Sequence, residues 1–209
     1  MKPVSCIDPG GRGSYGGSQM WWDDKVLVNS GCGIVAGLDS LLHMQGVEEI
    51  DRAEYMKKLT DASAYIKPVR IPFWKKEIKV FGLDFVGSLG VTLPRLKRGL
   101  KKLVKNMGLA ARVRSYGRNF VERTRQILKQ DIPVILLIRA PFNNVTLYDP
   151  DSLQPWDKLG QHYVTITGYD EDRGMFDVSS WGRKYKIATD DLKKFSVIAR
   201  FCYLERSNA

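Results

Sequence analysis

After Asp131 the chain becomes a series of short runs of β-branched, aromatic and aliphatic residues: Val134 to Ile138, Tyr163 to Tyr169, Met175 to Ser179, Lys184 to Ile187 and Ile198 to Leu204. Runs of this length and composition are β-strands, and turns such as Asp170-Glu171-Asp172-Arg173-Gly174 join them as antiparallel neighbours. Upstream the periodicity is helical. Ile34 to Met44 is apolar at most positions, as in a helix buried on nearly all sides. Residues 51–65 carry Ala53, Met56, Leu59, Ala62 and Ala64 at spacings near three. Leu96, Leu100, Leu103, Val104 and Met107 follow Pro94 at helical spacing as far as Gly108, and Asn119 to Gln130 reads as a further helix. Helices first and an antiparallel sheet second predict an α+β fold.

At 209 residues the chain is long enough for one sizeable domain. Residues 9–18, Pro-Gly-Gly-Arg-Gly-Ser-Tyr-Gly-Gly-Ser, lose too much backbone entropy to form a regular element. The expected organisation is a flexible Gly-rich arm over residues 1–20 and a single domain over 21–209, with a mainly helical middle section at 48–130. The tryptophans Trp21, Trp22 and Trp74 read as core rather than cleft residues. The longest apolar stretch, Pro133 to Ile138, is far short of a membrane span, and the N-terminus has no apolar signal core, so the expectation is a cytoplasmic protein with no membrane segment.

The three cysteines, Cys6, Cys32 and Cys202, are odd in number and form no Cys-x-x-Cys pair, which argues against a disulfide framework and a zinc site. No cofactor and no metal are expected. The net charge of +10 concentrates in Lys97 to Lys105 and Arg112 to Arg125 without a recognition motif. A solvated helix surface accounts for it better than nucleic acid as a partner. The sequence says nothing about oligomeric state.

Three segments carry chemistry. In Asn29-Ser30-Gly31-Cys32-Gly33 a cysteine immediately precedes the apolar helix, where unpaired backbone N–H groups and the helix dipole favour a thiolate. In Gly160-Gln161-His162-Tyr163-Val164 a histidine opens a strand, and alternation puts it on the face of Val164 and Ile166. If the Cys32 helix packs on that face, thiol and imidazole meet as a nucleophile and its base. Val178-Ser179-Ser180-Trp181-Gly182, one hairpin later, can supply a polar group that orients the imidazole, with Trp181 shielding the bond from water. The other histidine, His43, lies far along the helix from Cys32 and reads as a packing residue.

The cysteine segment, Asp131-Ile132-Pro133-Val134-Ile135, and Gly160 to Asp170 together resemble the papain-like peptidase domains of the bacteriocin-processing (double-glycine) type, in which a Cys-Gly-Pro-Ala helix precedes a Gly-His-Tyr/Trp-Val strand. The resemblance follows the order of elements from Val26 to Trp181 and leaves Glu48 to Arg125 unmatched. It implies a papain-like fold with the nucleophile helix packed on the C-terminal sheet. It further implies a cysteine peptidase or amide hydrolase that works through a thioester on a peptide or amide substrate.

Ser-Ser-Trp-Gly also resembles the Asn-Ser-Trp-Gly of papain, which puts Ser179 where that family carries its orienting asparagine; Asp177, on the same strand face, is the backup. The family's oxyanion glutamine has no match at Val26, leaving Gln19, preferred, or Asn29 as donor. The departures at Ser179 and Val26 are also what a catalytically inactive binding protein with this fold would carry.

Overall fold

The computed structural model describes residues 1–70, 77–80, 83–86, 88–140 and 145–207. Trp74 lies outside the described residues. The first strand, β1 (Ser5–Ile7), pairs in parallel with β2 (Glu49–Asp51). Between them come a 3-10 turn (Gln19–Trp21), a short helix α1 (Lys25–Ser30) and the long helix α2 (Cys32–Met44). Helix α3 (Arg52–Ser63) follows, opened by Asp51, whose carboxylate accepts the Ala53 and Glu54 N–H groups as a side-chain cap. A hairpin of β3 (Glu77–Val80) and β4 (Leu83–Val86) leads to α4 (Leu93–Asn106), β5 (Ala111–Tyr116) and α5 (Phe120–Leu128). The C-terminal part comprises β6 (Val134–Arg139), β7 (Val145–Tyr148), β8 (Pro155–Leu159), β9 (Gln161–Asp170), β10 (Met175–Ser180), β11 (Arg183–Ala188), α6 (Thr189–Lys193) and β12 (Ile198–Arg206).

Eight strands form one sheet in the order β5-β12-β6-β9-β10-β11-β7-β8, every neighbouring pair antiparallel. This is the α+β architecture expected, helices packed on an antiparallel sheet. The sheet is covered on both sides, which explains why β6 is an unbroken apolar run instead of an alternating one. Ile135 and Leu137 join Tyr163, Cys202 and Leu204 in the core under α2, α3 and α4. Val134, Leu136 and Ile138 join Val164, Ile166, Phe176, Val178 and Phe201 in a second core with Ile127 of α5 and Leu192 of α6. Helix α2 is apolar at most positions because it is enclosed: Ile34, Leu38, Leu41 and Leu42 are all fully buried, each worth about 1.5–3 kcal/mol relative to exposure. Among the described residues no helix is long and apolar enough to cross a membrane.

Two expectations change. Residues 1–20 are not a free arm. Tyr15 N–H donates to Gly182 O at 2.9 Å, Gly16 N–H to Val4 O at 3.0 Å, and Gly182 N–H to Gly17 O at 2.9 Å, so the Gly-rich segment is a strap bonded to the β10–β11 turn. Gly17 is required by close approach, since a Cβ there would stand 1.8 Å from the Tyr55 hydroxyl oxygen. The second correction concerns the sheet face. Helix α2 packs against the face of Tyr163, Ile135 and Leu137, not against that of Val164 and Ile166.

Candidate functional site

Helices α1 and α2 meet at Gly31, whose N–H closes α1 on Leu27 O at 2.7 Å; a Cβ there would lie 2.3 Å from the Trp22 ring. No side chain caps α2, so its first N–H groups stay open around Cys32. The Cys32 residue is half-buried. Burial of the thiol pushes it up to about 11, outweighing the backbone N–H groups of Tyr163, Gly33 and Cys32 itself, which favour the thiolate.

Cys32 borders a small cavity, about 10 Å³, that His162, Gln19, Gly17, Asp39, Ser179, Ser180 and Trp181 also line. The position of His162 near the start of β9 brings it to this cavity although α2 packs on the other face of Val164. Its Nε2 is hydrogen-bonded to Ser180 Oγ at 2.7 Å, and its ring stacks on Trp181 with centroids 4.5 Å apart. Burial drives the imidazole down to about 4. Among the described residues no hydrogen bond joins the thiol and the imidazole, and both groups are neutral near pH 7.

The partner of His162 is therefore Ser180, not Ser179 or Asp177. Ser179 donates its hydroxyl proton to Tyr15 O at 2.7 Å. Asp177 is paired with Lys186 at 2.9 Å and Lys184 at 3.2 Å, within a cross-strand network that also holds Asp170. The sequence did hold a signal for Ser180. Phe176 and Val178 of β10 belong to the same core as Val164 and Ile166, so alternation carries Ser180, rather than Ser179, to the face of His162. The turn that follows is two residues long, Trp181 at φ 49° and Gly182 at φ 75°, both left-handed as a tight hairpin of this kind requires. A non-glycine residue is uncommon there, and the Trp181 ring lies stacked on His162.

Gln19 is buried, and its Nε2 donates to Val28 O at 2.7 Å, which leaves the second amide N–H for another acceptor. Asn29 is turned away: its exposed side chain donates to Lys25 O at 2.8 Å. Of the two oxyanion candidates only Gln19 reaches the cavity. Trp22 is core, and Trp21 packs edge-on to Tyr55 at 5.8 Å. His43 sits in the last turn of α2 on Asp131, outside the cavity. The residues that sequence reasoning did not reach are Ser180, Asp39 and the strap around Gly17.

No family model and no curated protein matches the chain. Among solved structures it is similar to a protein of Bacillus anthracis that carries a provisional assignment as a C39-like peptidase: TM-score 0.54 and 16% identity, over 92% of this chain and 95% of that one. An identity so low speaks for backbone architecture, and the agreement spans nearly the whole of both chains. The chain shares the fold of that structure, helices packed on one antiparallel sheet.

Proposed function

We propose that the chain is a thiol-dependent hydrolase of peptide or amide bonds, with Cys32 as nucleophile and His162 as base. The observation that carries this reading is the convergence of Cys32, His162 and Gln19 on one cavity at the open N-terminus of α2. With Nε2 engaged by Ser180, Nδ1 of His162 is left to take a proton. The imidazole is neutral and able to accept it; the thiol is protonated, so proton transfer from Sγ to Nδ1 accompanies attack on the carbonyl carbon. The oxyanion that forms meets the Cys32 N–H and the free N–H of Gln19. The imidazolium then protonates the leaving amine, and water, deprotonated in turn by His162, releases the acyl group from the thioester.

A catalytically silent binding protein is the second reading. It is favoured by a thiol pushed up and an imidazole pushed down, with a serine hydroxyl rather than a carboxylate beside the imidazole. Incubation of wild type and Cys32→Ala with a peptide mixture, read by mass spectrometry, separates the two. Cleavage lost in the variant, with an acyl adduct trapped on Cys32, supports hydrolysis; equal product from both proteins, or none from either, supports the silent reading.

A further inference from the structure

Asp39 lies seven residues after Cys32 on α2 and borders the same cavity, yet the proposed reaction makes no use of it. It is 2% exposed, and among the described residues no cation pairs with it. A carboxylate kept there is costly unless hydrogen bonds replace its water. They come from two directions. Tyr55 of α3 donates its hydroxyl proton at 2.7 Å, and the Gly17 N–H of the strap approaches the two carboxylate oxygens at 3.1 and 3.3 Å.

The strap has no spare room at this point. A Cβ on Gly16 would stand 2.1 Å from Ser179 Oγ and 2.8 Å from an Asp39 oxygen, and Gly16 itself is left-handed at φ +80°. On its other side the strap is bonded to the sheet, through Gly182 N–H to Gly17 O and Ser179 Oγ to Tyr15 O. Gly17 is thus gripped between α2 and the β10–β11 turn, two residues before Gln19.

We propose that Asp39 is a positioning residue for the Cys32 cavity: its carboxylate clamps the strap through Gly17 and thereby holds Gln19 at the cavity wall, and protonation loosens the grip. The consequence for catalysis rests on the reading of Gln19 as oxyanion donor; the clamp itself does not. The chemistry follows from both partners being donors. An ionised carboxylate accepts from each of them in charge-assisted bonds, whereas a protonated one turns its hydroxyl to Tyr55 as donor and keeps only a neutral carbonyl oxygen for the Gly17 N–H, so the hold on the strap weakens.

Burial pushes the Asp39 carboxyl up to about 6, against the Tyr55 and Gly17 hydrogen bonds that pull it down. Around it stand Tyr55 on α3, Cys6 on β1, Cys32 on α2 and His162 across the cavity; Arg52 acts on Cys6 and lies over Trp21. The Cys6 thiol is pushed up to about 12, Cys32 to about 11, Tyr55 well above its usual value and His162 down to about 4. Of these five groups Asp39 alone changes charge between about pH 5 and pH 7.

The test is a titration of the substrate-free, isotope-labelled protein from about pH 4.5 to about pH 8, following the Gly17 backbone amide and the Gln19 side-chain amide by NMR. In wild type both signals move with one midpoint near 6. In Asp39→Asn that titration disappears. In Tyr55→Phe, which removes one donor to the charged form, the shared midpoint moves upward, and this arm serves if the first variant does not fold. Separate midpoints for the two amides, a titration unchanged in Asp39→Asn, or a midpoint unmoved in Tyr55→Phe overturns the clamp. Because no substrate is present, a clamp that titrates in a protein without hydrolytic activity upholds this inference while removing the reading of Cys32 as nucleophile.

Discussion

The two walls of the Cys32 cavity are built on different principles. The sheet wall, with His162 and Ser180, is set by strand register: Ile138 faces His162 across β6 and Ser179 faces Thr165 across β9, with apolar cores beneath both faces. The helix wall is set by point contacts, in which a lone buried carboxylate, a tyrosine hydroxyl and a glycine strap meet beside α2. A ladder spreads its specification over many bonds. The strap concentrates it on a few atoms, so it tolerates less.

The most disruptive single change therefore belongs to the helix wall. Gly17→Ala drives a methyl into the Tyr55 hydroxyl, which must move away from Asp39, and a loss of about 3 kcal/mol or more is expected in urea unfolding. A loss under about 0.5 kcal/mol would mean that the strap yields freely and that the contrast between the walls is false.

Next in size, the walls respond to acid with opposite sign. The His162 imidazole falls to about 4 from an ordinary 6.5, so the unfolded chain takes up its proton first and stability drops as pH falls through that window. The Asp39 carboxyl rises to about 6 from 3.8, so the folded chain takes up its proton first. Stability from this group is fully present below 3.8 and is lost as pH rises through about 6. Each effect is worth roughly 3 kcal/mol at most, and in wild type they largely cancel between about pH 4 and pH 6. Asp39→Asn should then lose stability on acidification, and His162→Gln should gain it. Parallel slopes in the two variants would remove the contrast.

Smaller again is the exchange of roles between the two serines. Ser180→Ala leaves His162 without its Nε2 partner and costs about 1 kcal/mol, together with a fall of about tenfold or more in any hydrolysis. Ser179→Ala costs a similar amount of stability by freeing Tyr15 O, but leaves the Ser180–His162 bond in place and lowers the rate less. Equal kinetic losses in both variants would reinstate Ser179 as an orienting group.

The same contrast explains how much the sequence disclosed. Strands β6, β9, β10, β11 and β12 and the buried helix after Cys32 were legible because periodicity and burial agree there. Cys32 and His162 stood out because each sits at the end of such an element. The face of α2 was misjudged because β6 and β9 are apolar on both sides, so a pattern that marks burial does not say which side the helix takes. Short elements such as α1, α6 and the β7–β8 pair carry too few residues for a period to show. The strap reads as a free arm from sequence because glycine content signals entropy, and its partners lie far away in the chain: Tyr15 with Gly182, Gly17 with Asp39 and Gly182. Ser180 was missed because a likeness to Ser-Trp-Gly motifs was followed where strand alternation pointed one residue further on.

The account turns on whether His162 takes the proton of Cys32. The direct measurement is the rate of Cys32 alkylation by a small iodoacetamide-type reagent against pH, with each modified cysteine identified by mass spectrometry, in wild type and in His162→Gln. A functional pair predicts alkylation of Cys32 ahead of the buried Cys6 and Cys202, at a rate near neutral pH that falls at least about tenfold in the variant. Identical profiles in the two proteins, rising only toward the thiol's own value of about 11, would show that the imidazole gives Cys32 no help and that the cavity is not a catalytic site.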